Sequence, residues 1–295
     1  MPHDALWWKK EKDAVRCLLC PHRCLMTENE TGLCGVRQNT AGRLITHAYN
    51  RVAALHIDPI EKKPLYHFLP GTRTLSLGTL GCNLRCLHCQ NAGISQTVPS
   101  GGGQLLTPHQ LVDLALKNNC PSISYTYNEP VVFYELMYDT AKLAREAGLK
   151  NILVSSGFIN PNPLRQLLPL LDAANIDLKC FRSETYRNLC GAELAVVKQT
   201  LKTLLKAGVW LEITTLLIPG QNDNASEIND MCRWLAQNGF TETPLHFSRF
   251  FPAHRLSHLS PTPLSMIRTA LSLAHQNGLR FVYPGNVPPS FYQIN

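Results

Sequence analysis

An alternation that begins near Arg73 and runs to the C-terminus constrains this 295-residue chain more than any other feature. Short β-branched or apolar runs read as strands: TLSLGTL, SISYT, NILVSS, ANIDLK, VWLEITTLLIPG, PLHFSRF and RFVY. Helical patterns separate them. TPHQLVDLALKNN has Thr107 as cap and Pro108 at its first position. Pro130 to Ala147 is closed by Gly148, and NPNPLRQLLPLL, ELAVVKQTLKTLLKAG, ASEINDMCRWLAQNG and TPLSMIRTALSLAHQNG follow in turn. Such alternation implies parallel strands joined by right-handed crossovers. A closed eight-fold barrel takes about 250 residues. The alternating part is shorter and holds six or seven units. The expected fold is α/β: an incomplete (β/α)6-type TIM barrel over residues 71–295.

Residues 1–70 do not alternate. They are expected to form an N-terminal extension with its own cysteine cluster, and GRLITHAYNRVAALHI within it reads as a hairpin of two short strands. SGGG (Ser100 to Gly103) reads as a flexible loop, and no internal repeat is evident.

The first residues lack the apolar core of a signal peptide, and no apolar run reaches membrane-spanning length. The expectation is a cytoplasmic protein with no membrane partner. In that reducing compartment eleven cysteines do not read as disulfides. Seven of them fall in two tight clusters, which points to metal, while Cys120, Cys180, Cys190 and Cys232 read as small buried hydrophobes. The net charge of +7 comes without a basic block or a basic–aromatic ladder, so nucleic acid is not an expected partner. An anionic cofactor or substrate accounts for the charge equally well.

The segment GCNLRCLHCQN places Cys82, Cys86 and Cys89 directly after the first barrel strand, at the rim where parallel barrels keep their chemistry. Structural zinc needs a fourth ligand, and His88 is the only local candidate; zinc ligands usually come as a C-x2–4-C pair with a distant second pair. Three inert thiols fit poorly with a rim flanked by Asn83, Arg85 and Asn91. The third reading is an iron–sulfur cluster held by three thiolates, with one iron left open for catalysis. C-x3-C-x2-C in this loop resembles the signature of radical S-adenosylmethionine (SAM) enzymes. The resemblance implies a [4Fe–4S] cluster whose open iron is chelated by the amino and carboxylate groups of SAM. One electron then cleaves SAM to methionine and a 5′-deoxyadenosyl radical. The position before the last cysteine is usually aromatic and contacts adenine; here it is His88.

Other strand ends supply further candidates. Asn128-Glu129-Pro130 is a good helix start on its own. It also resembles half of the Gly-Gly-Glu-Pro-like stretch that meets the SAM ammonium. Ser155, in Ser155-Ser156-Gly157, suits close approach to a ribose, or simply an ordinary turn. Asp177 and Lys179 share one face of the fourth strand, either as a mutual ion pair or in contact with a ligand. The same Asp-x-Lys contacts SAM in pyruvate formate-lyase activating enzymes. His246 and Ser248 are expected to point inward from the sixth strand. Phe251 stands where the activating enzymes carry a histidine near SAM.

Beyond the superfamily, DPIEKKPLYHFLPGT, GCNLRCLHCQN, YTYNEP, NIDLK, YRNLCGA, TTLLIPG and SRFFPA together resemble the radical SAM enzyme of the AmmeMemoRadiSam system, nearly end to end. That group is related to the activating enzymes, which place a glycyl radical on a partner protein. Two departures stand out. Members of the group carry a TYC-x2-C-type segment after GNVP, where this chain reads GNVPPSFYQIN, and a Gly where this chain has Cys180. Cys17, Cys20, Cys24 and Cys34 form a possible second metal site, for zinc or a second iron–sulfur cluster. The expected function is SAM cleavage that drives hydrogen abstraction from an unidentified substrate. The alternatives are a glycyl-radical activase and a non-catalytic zinc or electron-transfer module. Expected partners are a reductant such as flavodoxin or ferredoxin, and Memo-like and AMME-domain proteins.

Overall fold

A computed structural model describes residues 3–96 and 103–292; Ser100 to Gly102 of the glycine run lie outside the described residues. The dominant element is an eight-stranded sheet. In chain order its strands are β1 Ala54–Pro59, β2 Arg73–Gly78, β3 Ser122–Tyr125, β4 Lys150–Ser155, β5 Ala173–Asp177, β6 Trp210–Leu217, β7 Leu245–Arg249 and β8 Val282–Gly285. Spatial order follows chain order, with β2 to β8 parallel and β1 antiparallel against β2. β1 and β8 are the two edges, so the barrel is incomplete, as the strand count implied. The segment between β1 and β2 passes beneath the opening. His67 Nε2 meets the Tyr283 hydroxyl at 2.6 Å, and Pro64 O accepts from Asn175 Nδ2 at 2.8 Å.

Local chemistry explains the helices. Helix Pro108–Lys117 begins with a full capping box between Thr107 and Gln110, and helix Ala225–Gln237 is capped by Asn224, whose Oδ1 accepts from Ser226 N and Glu227 N. Pro130 opens a 3-10 turn, Pro130–Phe133, that leads into helix Tyr134–Glu146. One helix, Ser183–Cys190, escaped the sequence reading; Gly191 ends it in the left-handed conformation at φ 67°.

The N-terminal extension differs from expectation. GRLITHAYNRVAALHI does not fold as one hairpin. Arg43–Thr46 pairs backwards with Arg37–Thr40, because Ala41 and Gly42 both adopt positive φ, as a two-residue type I′ turn requires. Arg51–Val52 pairs with Gln104–Leu105, and Ala54–Pro59 is taken by the barrel edge. His3–Asp4 adds a third strand beside Arg43–Thr46, and Trp8–Glu11, Ala14–Cys17 and Leu25–Met26 form a second small sheet. The extension shares the barrel's core, with Val15 and Leu44 fully buried in the same apolar cluster as Leu136 and Leu178. A buried ion pair, Arg37 to Glu135, crosses between them.

Candidate active site

The C-terminal ends of the parallel strands surround a cavity of about 600 Å³. Cys82, Cys86, His88 and Cys89 line it, together with Asp177, Lys179 and Ser248. Nearly all of the residues singled out from sequence meet here: Asn128, Glu129 and Ser155 border it as well. His246 does not. Its Nε2 lies 2.7 Å from Glu212 Oε2, under the edge of Tyr66, and both side chains are shut away deep in the barrel. The inward face predicted for His246 is real, but an acid on the neighbouring strand holds the ring below the cavity. Phe251 also lies outside the cavity lining, exposed beneath the Arg249 guanidinium.

The three-cysteine loop is held from several directions. Gly81 N donates to Ile94 O at 2.8 Å, and Arg85 N and Leu87 N donate to the carbonyls of Cys190 and Leu189 at 2.8 and 2.9 Å. The overlooked helix Ser183–Cys190 therefore forms the bed of the loop. Its last residue, Cys190, contacts Cys86, and that hydrogen bond lowers the Cys86 thiol pKa against the effect of burial. Burial pushes the Cys82 thiol well up. Cys89 Sγ lies 3.0 Å from the Ser95 hydroxyl. Asn128 spends its amide on the entry to the loop. Its Oδ1 accepts from Thr79 N at 3.1 Å, and its Nδ2 donates to Gly81 O at 2.7 Å. It positions the loop, with its Nδ2 also reaching the Thr79 hydroxyl at 3.3 Å.

Glu129 is similarly committed. Its carboxylate accepts from Ser155 Oγ, Ser156 Oγ, Ser156 N and Val131 N at 2.6, 2.6, 2.9 and 3.2 Å. These four donors fill the lone-pair positions of a carboxylate. Glu129 therefore contributes charge to the cavity wall rather than a free acceptor, and the Ser155 hydroxyl expected near a ribose is spent on Glu129. Burial raises the Glu129 pKa.

Lys179 Nζ and Asp177 Oδ2 pair at 2.8 Å, with about a third of Asp177 still exposed to the cavity (37%). Burial works against the Lys179 ammonium. The Asp177 carboxylate beside it more than reverses this, so its pKa lies well above the ordinary value. His88 is 5% exposed, and burial, with Lys179 nearby, pushes its pKa down to about 3. It is a neutral ring at ordinary pH, and its Nδ1 has no partner among the described residues. A buried ring edge without a partner fits a site that receives a polar heteroaromatic ligand. Cys180 is a buried thiol whose pKa burial pushes up to about 12, in keeping with a packing role.

Two groups went unnoticed in the sequence. Asp58, behind the cavity lining, accepts from three residues of that lining, Lys62 and Lys63 at 2.9 and 2.6 Å and the Tyr127 hydroxyl at 2.5 Å. These bonds outweigh burial and hold its carboxyl well below the usual range. Glu212 accepts from Tyr66 N, His67 N and His246 beneath the floor. Its signal was a lone acid inside an apolar strand. Among the described residues no three Cys, His, Asp or Glu groups converge as a single ion requires. Three thiols that share a cavity wall without converging suit a polynuclear cluster, in which each iron takes its own thiolate.

The family model of the Radical SAM superfamily matches residues 77–235. The chain is 45% identical over 287 residues to an uncharacterized protein, MJ0808, of Methanocaldococcus jannaschii, covering 97% of this chain and 85% of that one. It is 24% identical over 163 residues to the pyruvate formate-lyase 1-activating enzyme of Escherichia coli, covering 52% of this chain and 65% of the enzyme. SuiB of Streptococcus suis, solved with bound S-adenosylmethionine, shares the fold with a TM-score of 0.57 at 12% identity, over 72% of this chain and 50% of SuiB. Among the described residues no helix is long and apolar enough to cross a membrane.

Proposed function

This chain belongs to the radical SAM superfamily, and from that premise we propose that Cys82, Cys86 and Cys89 hold a [4Fe–4S] cluster with SAM in the cavity beside it. Membership implies the cluster and SAM; the assignment to these residues rests on the meeting of three thiols, a neutral His88 and the Asp177–Lys179 pair around one cavity. When bound and reduced, the cluster with SAM supplies a 5′-deoxyadenosyl radical able to abstract hydrogen from a substrate. The chain's own groups do the positioning. Lys179, held charged, faces a ligand carboxylate, and the exposed part of Asp177 faces an ammonium. His88 offers an uncharged ring edge to a base. Asn128 fixes the loop that carries the cysteines, and Lys62, Lys63 and Pro64 of the segment between β1 and β2 line the cavity beside it.

Motif resemblance along nearly the whole chain favours an AmmeMemoRadiSam-type role, with Memo-like and AMME-domain partners and a flavodoxin- or ferredoxin-type reductant. Relatedness to the activating enzyme of Escherichia coli supports a second reading, a glycyl-radical activase. Anaerobically reconstituted protein, given SAM and dithionite, is expected to form methionine and 5′-deoxyadenosine, and the Cys82→Ala variant to form neither. Product at the wild-type rate from that variant would remove the assignment. A glycyl-radical electron paramagnetic resonance (EPR) signal in a partner enzyme would decide for the second reading.

A further inference from the structure

The four N-terminal cysteines enclose a second site. Cys17, Cys20, Cys24 and Cys34 come from three different parts of the extension: the end of strand Ala14–Cys17, the turn after it, and the loop before Arg37–Thr40. They line one cavity, which measures about 20 Å³ as traced by the centre of a water molecule. Met26 and Val132 are among the apolar side chains that close it. Two buried polar groups in its wall keep an atom without a partner: Asn83 through Oδ1 and Arg37 through Nε, at 2% and 1% exposure. Arg37 Nη1 lies 3.7 Å from Cys17 Sγ.

We propose that this cavity holds a second [4Fe–4S] cluster, with all four irons ligated, that passes single electrons to the site at Cys82, Cys86 and Cys89. The role as relay rests on the function proposed above; the metal assignment does not. Zinc draws four sulfurs to about 2.3 Å from one point and leaves no space among them. Here the thiols stand around a void and do not converge on an ion position. A four-iron, four-sulfide core fills such a void and takes one thiolate on each iron. With four thiolates supplied, no coordination position is left for SAM or substrate, so electron transfer is the chemistry that remains.

Location agrees. Cys34 O accepts from Cys82 N at 3.3 Å, and His22 Nε2 meets Asn83 O at 2.7 Å. Gly81 allows this approach: it sits at φ 88°, and a Cβ there would stand 2.5 Å from Cys34 O. One backbone hydrogen bond thus joins the two cysteine segments. In the transfer, a flavin or iron–sulfur donor protein gives up one electron. The N-terminal cluster goes from the 2+ to the 1+ state and returns to 2+ as it reduces the barrel cluster.

The test compares anaerobically reconstituted wild type, the triple variant C82A/C86A/C89A and the quadruple variant C17A/C20A/C24A/C34A, each analysed for iron, sulfide and zinc. Clusters of this type give about eight irons in the wild type and about four in each variant. About one zinc with no sulfide in the triple variant, or neither metal, overturns the proposal. Should the quadruple variant fail to fold, the wild-type iron count and the Mössbauer spectrum of the triple variant decide alone. The relay has its own readout. The quadruple variant should cleave SAM nearly as well as wild type with dithionite, yet roughly tenfold or more slowly with flavodoxin, about 1.4 kcal/mol in barrier. Equal losses with both reductants overturn the relay. Absence of SAM cleavage by the wild type with dithionite defeats the barrel-site reading instead, and leaves the metal count of the triple variant to stand or fall by itself.

Discussion

The two cysteine regions touch, through the Cys82–Cys34 backbone hydrogen bond and through contacts of His22 with Asn83 and of Arg85 with Leu33, yet they are built on opposite plans. The N-terminal cysteines belong to short antiparallel strands and turns, and they face apolar neighbours such as Met26, Val131 and Val132. The barrel cysteines sit on a loop after β2 and face an ion pair, hydroxyls and an uncharged imidazole around a far larger space. Four thiols in a mostly apolar wall, broken by Arg37 and Asn83, make a closed site. Three thiols in a polar wall make an open one, and only an open site leaves an iron for a substrate. The number of thiols and the polarity of what faces them teach more than the spacing of the cysteines, which is C-x2-C-x3-C in one region and C-x3-C-x2-C in the other.

The largest expected effect falls on the open site. Cys86→Ala should reduce 5′-deoxyadenosine formation to background, and substantial turnover with dithionite would erase the distinction between the two regions. Next comes the joint that holds the closed site against the barrel. Arg37→Met leaves Glu135 buried without its partner, which costs about 3–5 kcal/mol. Urea unfolding should show this loss; an unchanged midpoint would mean the extension does not depend on the ion pair.

Lys179→Met should weaken SAM binding by roughly tenfold to a hundredfold, the scale of a hydrogen bond to a charged group, while the iron–sulfur absorption stays intact. A lower melting temperature with unchanged SAM affinity would reduce Lys179 and Asp177 to a brace. The smallest effect concerns Glu212, which lies beneath the open site and contacts neither cysteine region. Its pKa is lowered because hydrogen bonds from His246, Tyr66 N and His67 N outweigh burial. A depressed carboxylate stabilises the fold above its unfolded pKa, and that contribution is lost as pH falls through the folded value. Melting temperature should therefore drop below the ordinary glutamate range, less steeply in Glu212→Gln, with the metal content of both sites unaltered.

Much of this was legible in the sequence. The parallel strands, the capped helix at Thr107 and the gathering of Cys82, Cys86, Cys89, Asp177 and Lys179 followed from period and from the strand-end rule, because local pattern dictates them. What escaped was set by tertiary context. The helix Ser183–Cys190 is a short polar segment stabilised by the cysteine loop lying on it. β1 reads as an ordinary strand, and nothing local says that it pairs with β2. His246 was placed on the correct face, but its distance from the cavity depends on Glu212, thirty-four residues away. The hydrogen bonds that occupy Asn128 and Glu129 are likewise invisible in their own motif.

The measurement that tests the contrast most directly is a titration of SAM into the reduced protein, followed by EPR. In the quadruple variant lacking Cys17, Cys20, Cys24 and Cys34, SAM should change the cluster spectrum, because the remaining site has an open iron. In the triple variant lacking Cys82, Cys86 and Cys89 the cluster spectrum should be indifferent to SAM. A spectrum that responds in the triple variant and stays fixed in the quadruple one would contradict the account.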